Sequence, residues 1–171
     1  MARGYAPRLN KGEQHWAVLV IPALSVLLGS LTSVLPHLAL YPLIPPFGLL
    51  LLLGWRLIVR DIWPVWTALP LGFFDDLLSG QPLGSSMFLW TVALLVLDLC
   101  DRWMMWRDYR QDWVIASFLI ILALLGGLAI ANMAGGETSA LFLIPQIVVS
   151  LLVFPLIVRI CGGLDRLRWS L

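Results

Sequence analysis

Charge is what this chain has least of. Lys, Arg, Asp and Glu supply 12 % of its 171 residues while apolar types supply 60 %, and the mean hydropathy is +0.92. So few charges cannot wet the surface of a soluble globule, and the composition belongs to an integral membrane protein with little mass outside the bilayer. Basic residues outnumber acidic ones by only one. No basic stripe with interleaved aromatics is present, so nucleic acid is excluded as a partner. Histidine is almost missing. His15 lies in an N-terminal tail and His37 in an isolated turn, which leaves a serine or cysteine triad without its base and a metalloenzyme without its ligands. His37 reads as a surface or interface residue. The two cysteines, Cys100 and Cys161, are too far apart for a CxxC metal motif. Both fall at helix ends assigned to the cytosolic side, where thiols stay reduced, and read as structural. No glycine-rich phosphate loop exists, and the turn GQPLG at 80–84 is not one. No cofactor and no metal is expected.

Long apolar runs fill the space that charge leaves. They divide into six candidate membrane helices at about 16–35, 43–59, 62–78, 82–100, 113–133 and 139–161, in one membrane domain with short tails at about 1–15 and 162–171. The first run is too long for a signal-peptide core and lacks an A-x-A site, so it is expected to stay as an anchor. Pro45 and Pro46 open the second helix, and Pro145 and Pro155 interrupt the last, where Gln146 is placed to satisfy backbone groups that a kink would free. Small residues recur at four-residue spacing in three helices: Ser25, Gly29 and Ser33; Ala68, Gly72, Asp76 and Gly80; Ala123, Gly127 and Ala131. Such rows are seams along which membrane helices approach closely.

Orientation follows from the basic residues. They occur in the N-terminal tail (Arg3, Arg8, Lys11), at the helix 2 to 3 connection (Arg56, Arg60), in the helix 4 to 5 loop (Arg102, Arg107, Arg110) and near the C-terminus (Arg159, Arg166, Arg168), which accounts for all of them. The positive-inside rule then sets both termini in the cytosol. Tryptophan, which favours the membrane interface, agrees: Trp16, Trp55, Trp63, Trp66, Trp103, Trp106 and Trp113 fall at the same level. The mixed-charge loop at 101–112 reads as an interfacial segment.

The most informative charges are Asp75 and Asp76, at the outer end of the third helix and roughly 20 Å from its start. A carboxylate at this depth needs a partner or a route to water. Asp76 shares a face with Gly72 and points into protein. Asp75, about 100° further round, reads as an interface residue wetted by headgroups and water. The two are poorly placed to form a catalytic dyad. Ser79 and Gly80 end the helix, and Pro82 suits the first position of the next, whose unpaired N–H groups Asp76 is placed to accept. An intramembrane aspartyl protease would need Asp76 beside Asp98, but Asp98 lies near the other end of the fourth helix. Few polar groups are available to line an outer pocket: Asp75, Asp76, Ser85, Ser86, Asn132 and Gln146.

The hairpin Gly72 to Asp76 to Ser79-Gly80, followed by Leu83-Gly84, resembles the signature of the MreD family of rod shape-determining membrane proteins: a helix ending in G-x-x-x-D-x-x-S-G, then x-x-L-G. Length, six helices, a proline-bearing second helix and a basic C-terminal tail match more loosely. The doubled aspartate departs from the pattern, and Asp76 takes the family's acidic position. The resemblance implies a non-enzymatic scaffold of the bacterial cell-elongation machinery in the inner membrane. Its partners would be an MreC-like bitopic protein and, through it, MreB and the peptidoglycan polymerase and transpeptidase. On that reading Gly72, Asp76, Gly80, Pro82 and Gly84 form the partner-supporting hairpin. The family is also similar in structure to the six-helix substrate-binding subunits of energy-coupling-factor transporters, so a vitamin-binding transporter subunit is the alternative, with Asp75, Ser85 and Ser86 in an outward pocket.

Overall fold

A computed structural model describes residues 15–34, 44–60, 62–103, 109–136 and 139–170. The N-terminal tail, His37, Trp106 and Glu137 lie outside the described residues, as do the side chains of His15 and Trp16. Among the described residues the elements are helical, with no strand: α1 (His15–Leu31), α2 (Phe47–Ile58), α3 (Ala68–Ser79), α4 (Ser85–Trp103), α5 (Tyr109–Met133) and α6 (Ile144–Ser170). Short 3-10 turns at Thr32–Val34, Val65–Thr67 and Ala140–Leu143 follow or precede α1, α3 and α6.

The centre of the bundle is α2. A helix apolar on every face has to be enclosed on every face, and α2 packs against α1, α4, α5 and α6. Leu49, Leu50, Leu52, Leu53 and Trp55 are all buried there. The seam between α1 and α2 runs through Gly29, where a Cβ would stand 2.6 Å from Leu51 Cδ1 and 3.1 Å from the Phe47 carbonyl carbon. Ser25 in the same row accepts the Trp55 indole N–H at 2.8 Å, whereas Ser33 is exposed. Trp55 is therefore a core residue and not an interface anchor. Trp63 is likewise buried, while Trp66, Trp103 and Trp113 stand outward as an interfacial belt requires.

Two helices are long and apolar enough to cross a bilayer, over Arg110–Met133 and Ile144–Arg166. At 1.5 Å per residue these runs reach about 35 Å, more than the roughly 30 Å of a hydrocarbon core. By contrast α2 and α3 have 12 residues each, or about 18 Å. They are shorter than the sequence suggests because Pro45-Pro46 and the 3-10 turn after Pro64 consume their first residues. Helix 4 begins at Ser85, not at Pro82, which sits in the preceding turn. Pro145 occupies the first turn of α6, where its missing N–H costs nothing, and Pro155 does not interrupt the helix either, which runs unbroken from Ile144 to Ser170. Cys161 is not at a helix end, because α6 continues to Ser170; it is buried, and a Cβ on Gly54 of α2 would lie 3.2 Å from its sulfur.

Apolar stripes face outward among the described residues. On α6, Val148, Leu152, Leu156 and Ile160 form an outward stripe, with Leu152 at 72 % exposure. Leu24, Leu28 and Leu31 do the same on α1. Continuous exposed stripes of this kind are costly in water and match a lipid surround.

Candidate functional site: the clasped hairpin and the acidic cavity

The site is built where α3 gives way to α4. Gly80 ends α3 in the left-handed region at φ +67°, a conformation open to glycine at little cost. It is exposed and packs against nothing, so it belongs to the turn and not to the seam. Four residues later, Gly84 (φ +96°) accepts Phe88 N–H at 3.0 Å on its carbonyl and so stands at the start of α4. A helix start leaves N–H groups without partners, and a residue there normally offers a side-chain oxygen. Glycine has none.

Asp76 supplies it from the neighbouring helix. Its Oδ2 accepts the Gly84 N–H at 2.8 Å and lies 3.4 Å from Met87 N, while its Oδ1 accepts the Ser86 N–H at 2.7 Å and the Ser85 hydroxyl at 2.9 Å. The carboxylate is 2 % exposed. Its charge faces the positive end of the α4 dipole, so desolvation is offset by dipole and hydrogen bonds together. Gly72, one turn earlier, lets α4 come close enough for this: a Cβ there would be 2.7 Å from both N and Cα of Met87. Ala68, Gly72 and Asp76 are all buried along this seam, as their spacing predicts.

Asp75, expected as an interface residue, is half-buried inside the bundle, with its Oδ2 accepting the Ser86 hydroxyl at 2.9 Å. Ser30 of α1 faces it as well, and the space for that approach exists because position 48 is glycine, where a Cβ would stand 3.2 Å from Asp75 Oδ1. The reason is that α3 packs on both α4 and α1. Two of its faces point inward, and a rotation of about 100° carries Asp75 from one to the other.

Asp75 opens onto a partly open cavity of about 220 Å³. Its polar lining is Asp75, Gln81, Ser86 and Gln146, and Trp90 forms an aromatic wall. Ser85, expected here, is turned away into the Asp76 clasp, and Asn132 lies on the exposed end of α5. Ala123, Gly127 and Ala131 make one wall, so this small-residue row creates space where a tight seam was expected. Gln146 does not serve a kink in its own helix; its amide donates to the Ile44 carbonyl at 2.8 Å, tying α6 to the segment before α2.

A second polar cluster escaped sequence reading. Arg56 of α2, 3 % exposed, meets Asp101 at 2.9 Å and Asp98 at 3.6 Å, and Asp98 also pairs with Arg102 at 2.8 Å. The signal was present as two carboxylates three residues apart on one face of α4, opposite an arginine inside an apolar run. From Ser86, which Asp76 caps, to Asp98 is twelve residues of α4, or about 18 Å. The two acids thus serve opposite ends of the helix and cannot work as a pair. Among the described residues no cluster of three or more His, Cys, Asp or Glu side chains could hold a metal ion.

No family model, no curated protein and no solved structure matches this chain.

Proposed function

We propose that this chain is a six-span inner-membrane scaffold with both termini in the cytosol, an MreD-like component of the cell-elongation machinery that holds an MreC-like bitopic partner. The observation that carries the reading is the use made of the motif that resembles the family signature. Gly72 admits the α4 backbone, Asp76 caps it, Gly80 turns the chain and Gly84 begins the helix that Asp76 completes. Each is spent on fixing the angle between two helices, and none is left to act on a substrate. Such a hairpin suits a rigid surface against which a partner's membrane helix docks, and the partner would pass binding on to MreB and the peptidoglycan polymerase and transpeptidase. On this reading the protein is not an enzyme.

The test is purification of the tagged protein from native membranes, with mass spectrometry of what accompanies it. A bitopic protein with a large periplasmic domain, together with loss of rod shape on depletion, is the expected result. Absence of any such partner from a folded preparation argues against it.

The acidic cavity favours a second reading, a substrate-binding transporter subunit. Its volume of about 220 Å³ falls below the roughly 300–1,000 Å³ typical of pockets that enclose a whole small molecule, which ranks this reading second. A vitamin-sized molecule in the extracted protein would reverse the order.

A further inference from the structure

The cavity behind Asp75 has a neighbour. On the lipid-facing flank between α4 and α5 runs an apolar groove of about 230 Å³, lined among others by Phe88, Val92, Leu119, Leu122 and Gly126. Leu89 and Ala123 belong to both hollows and form the partition between them. The groove is deepened because Gly126 carries no side chain; a Cβ there would meet Leu89 Cδ2 at 2.6 Å.

The two hollows differ in chemistry. The cavity holds a carboxylate, two amide side chains, a hydroxyl and an indole, and no Lys, Arg or His is among the described residues lining it. A carboxylate in such surroundings favours a positively charged guest with N–H groups to donate, and the indole wall of Trp90 favours a cation further. The groove offers only methyl and phenyl surface, open to lipid. Together they fit an amphiphile: a terminal ammonium inside and a hydrocarbon chain outside. The cavity is also of headgroup size, too small for a larger ligand to be enclosed.

We infer that the Asp75 cavity binds the ammonium group of an aminophospholipid whose acyl chain lies in the α4–α5 groove. The ammonium donates to Asp75, with Gln81 and Gln146 beside it, and the chain passes the Leu89–Ala123 partition. This site is independent of the scaffold reading, since it uses the carboxylate that the clasp leaves aside.

Native mass spectrometry of the full chain released from nanodiscs tests it. The probes are phosphatidylethanolamine, phosphatidylglycerol and free ethanolamine. Wild-type protein is expected to retain phosphatidylethanolamine over phosphatidylglycerol by about tenfold or more, the scale of one charge-assisted contact. Asp75→Asn, which keeps an acceptor for Ser86, is expected to bring that ratio to near one without a change in thermal midpoint. Ala123→Leu, which thickens the partition, is expected to lower phosphatidylethanolamine retention while Asp75 is intact. Equal retention of the two lipids by wild type overturns the inference, whatever the variants do. Unchanged preference in Asp75→Asn also overturns it, and binding of free ethanolamine with no lipid retained overturns the lipid source.

Discussion

Asp75 and Asp76 are neighbours in sequence with different employment. Asp76 is saturated by donors from the first turn of α4, while Asp75 gives one oxygen to Ser86 and faces a cavity. Replacing Asp76 with Asn keeps the shape but turns an NH2 group toward backbone donors. The expected cost is about 3 kcal/mol, the loss of charged hydrogen bonds with buried N–H groups left over, read as a lowered midpoint in thermal unfolding of the detergent-solubilised protein. A fall below about 1 kcal/mol would mean that water replaces the clasp. Asp76 was legible from sequence because a four-residue row gives a direction and a following helix start gives a need. Asp75 was not, because one row defines only one inward face, and that α1 covers a second face of α3 is a tertiary fact. Trp55 misled for a similar reason: a tryptophan near a helix end suggests an interface, but α2 is enclosed along its whole length.

At the scale of elements, the α3–α4 hairpin makes a pair of contrasting predictions. Gly80→Ala meets open space and strains only φ, so it is expected to cost about 1 kcal/mol. Gly72→Ala must displace the Met87 backbone and is expected to cost more, roughly 2–3 kcal/mol by overpacking, and to loosen the clasp in hydrogen exchange at Ser86 and Met87. Equal effects from the two would contradict the close approach. At the far end of α4, Arg56→Ala strips Asp98 and Asp101 of their buried cation, and a loss of about 3 kcal/mol is expected in the same unfolding measurement. The number of helices and their approximate order were readable from apolar runs and prolines. Their starts were not, since 3-10 turns and the exact position of a cap depend on what packs alongside. The rows at Gly29 and Gly72 became seams, whereas the row at Gly127 walls a cavity. Small residues permit either outcome, and the partner helix decides.

For the whole molecule, the exposed apolar stripes and two helices long enough to cross a bilayer match a membrane setting, and six spans are the proposed topology. Cysteine labelling from either side of the membrane checks it. Single cysteines introduced in the N-terminal tail and after Arg166 are expected to react from the same, cytosolic side, and one at Gln81 from the opposite side; any other pattern contradicts the proposed topology. The scaffold reading depends on the hairpin being rigid in that setting. Its most direct measurement is capture of an MreC-like partner by tagged Asp76→Leu protein, counted per molecule of folded protein recovered from native membranes, beside wild type and Gly80→Ala. A docking surface held by the clasp requires capture to fall to about a tenth or less in Asp76→Leu and to persist in Gly80→Ala. Undiminished capture by Asp76→Leu, with rod shape intact, would contradict it.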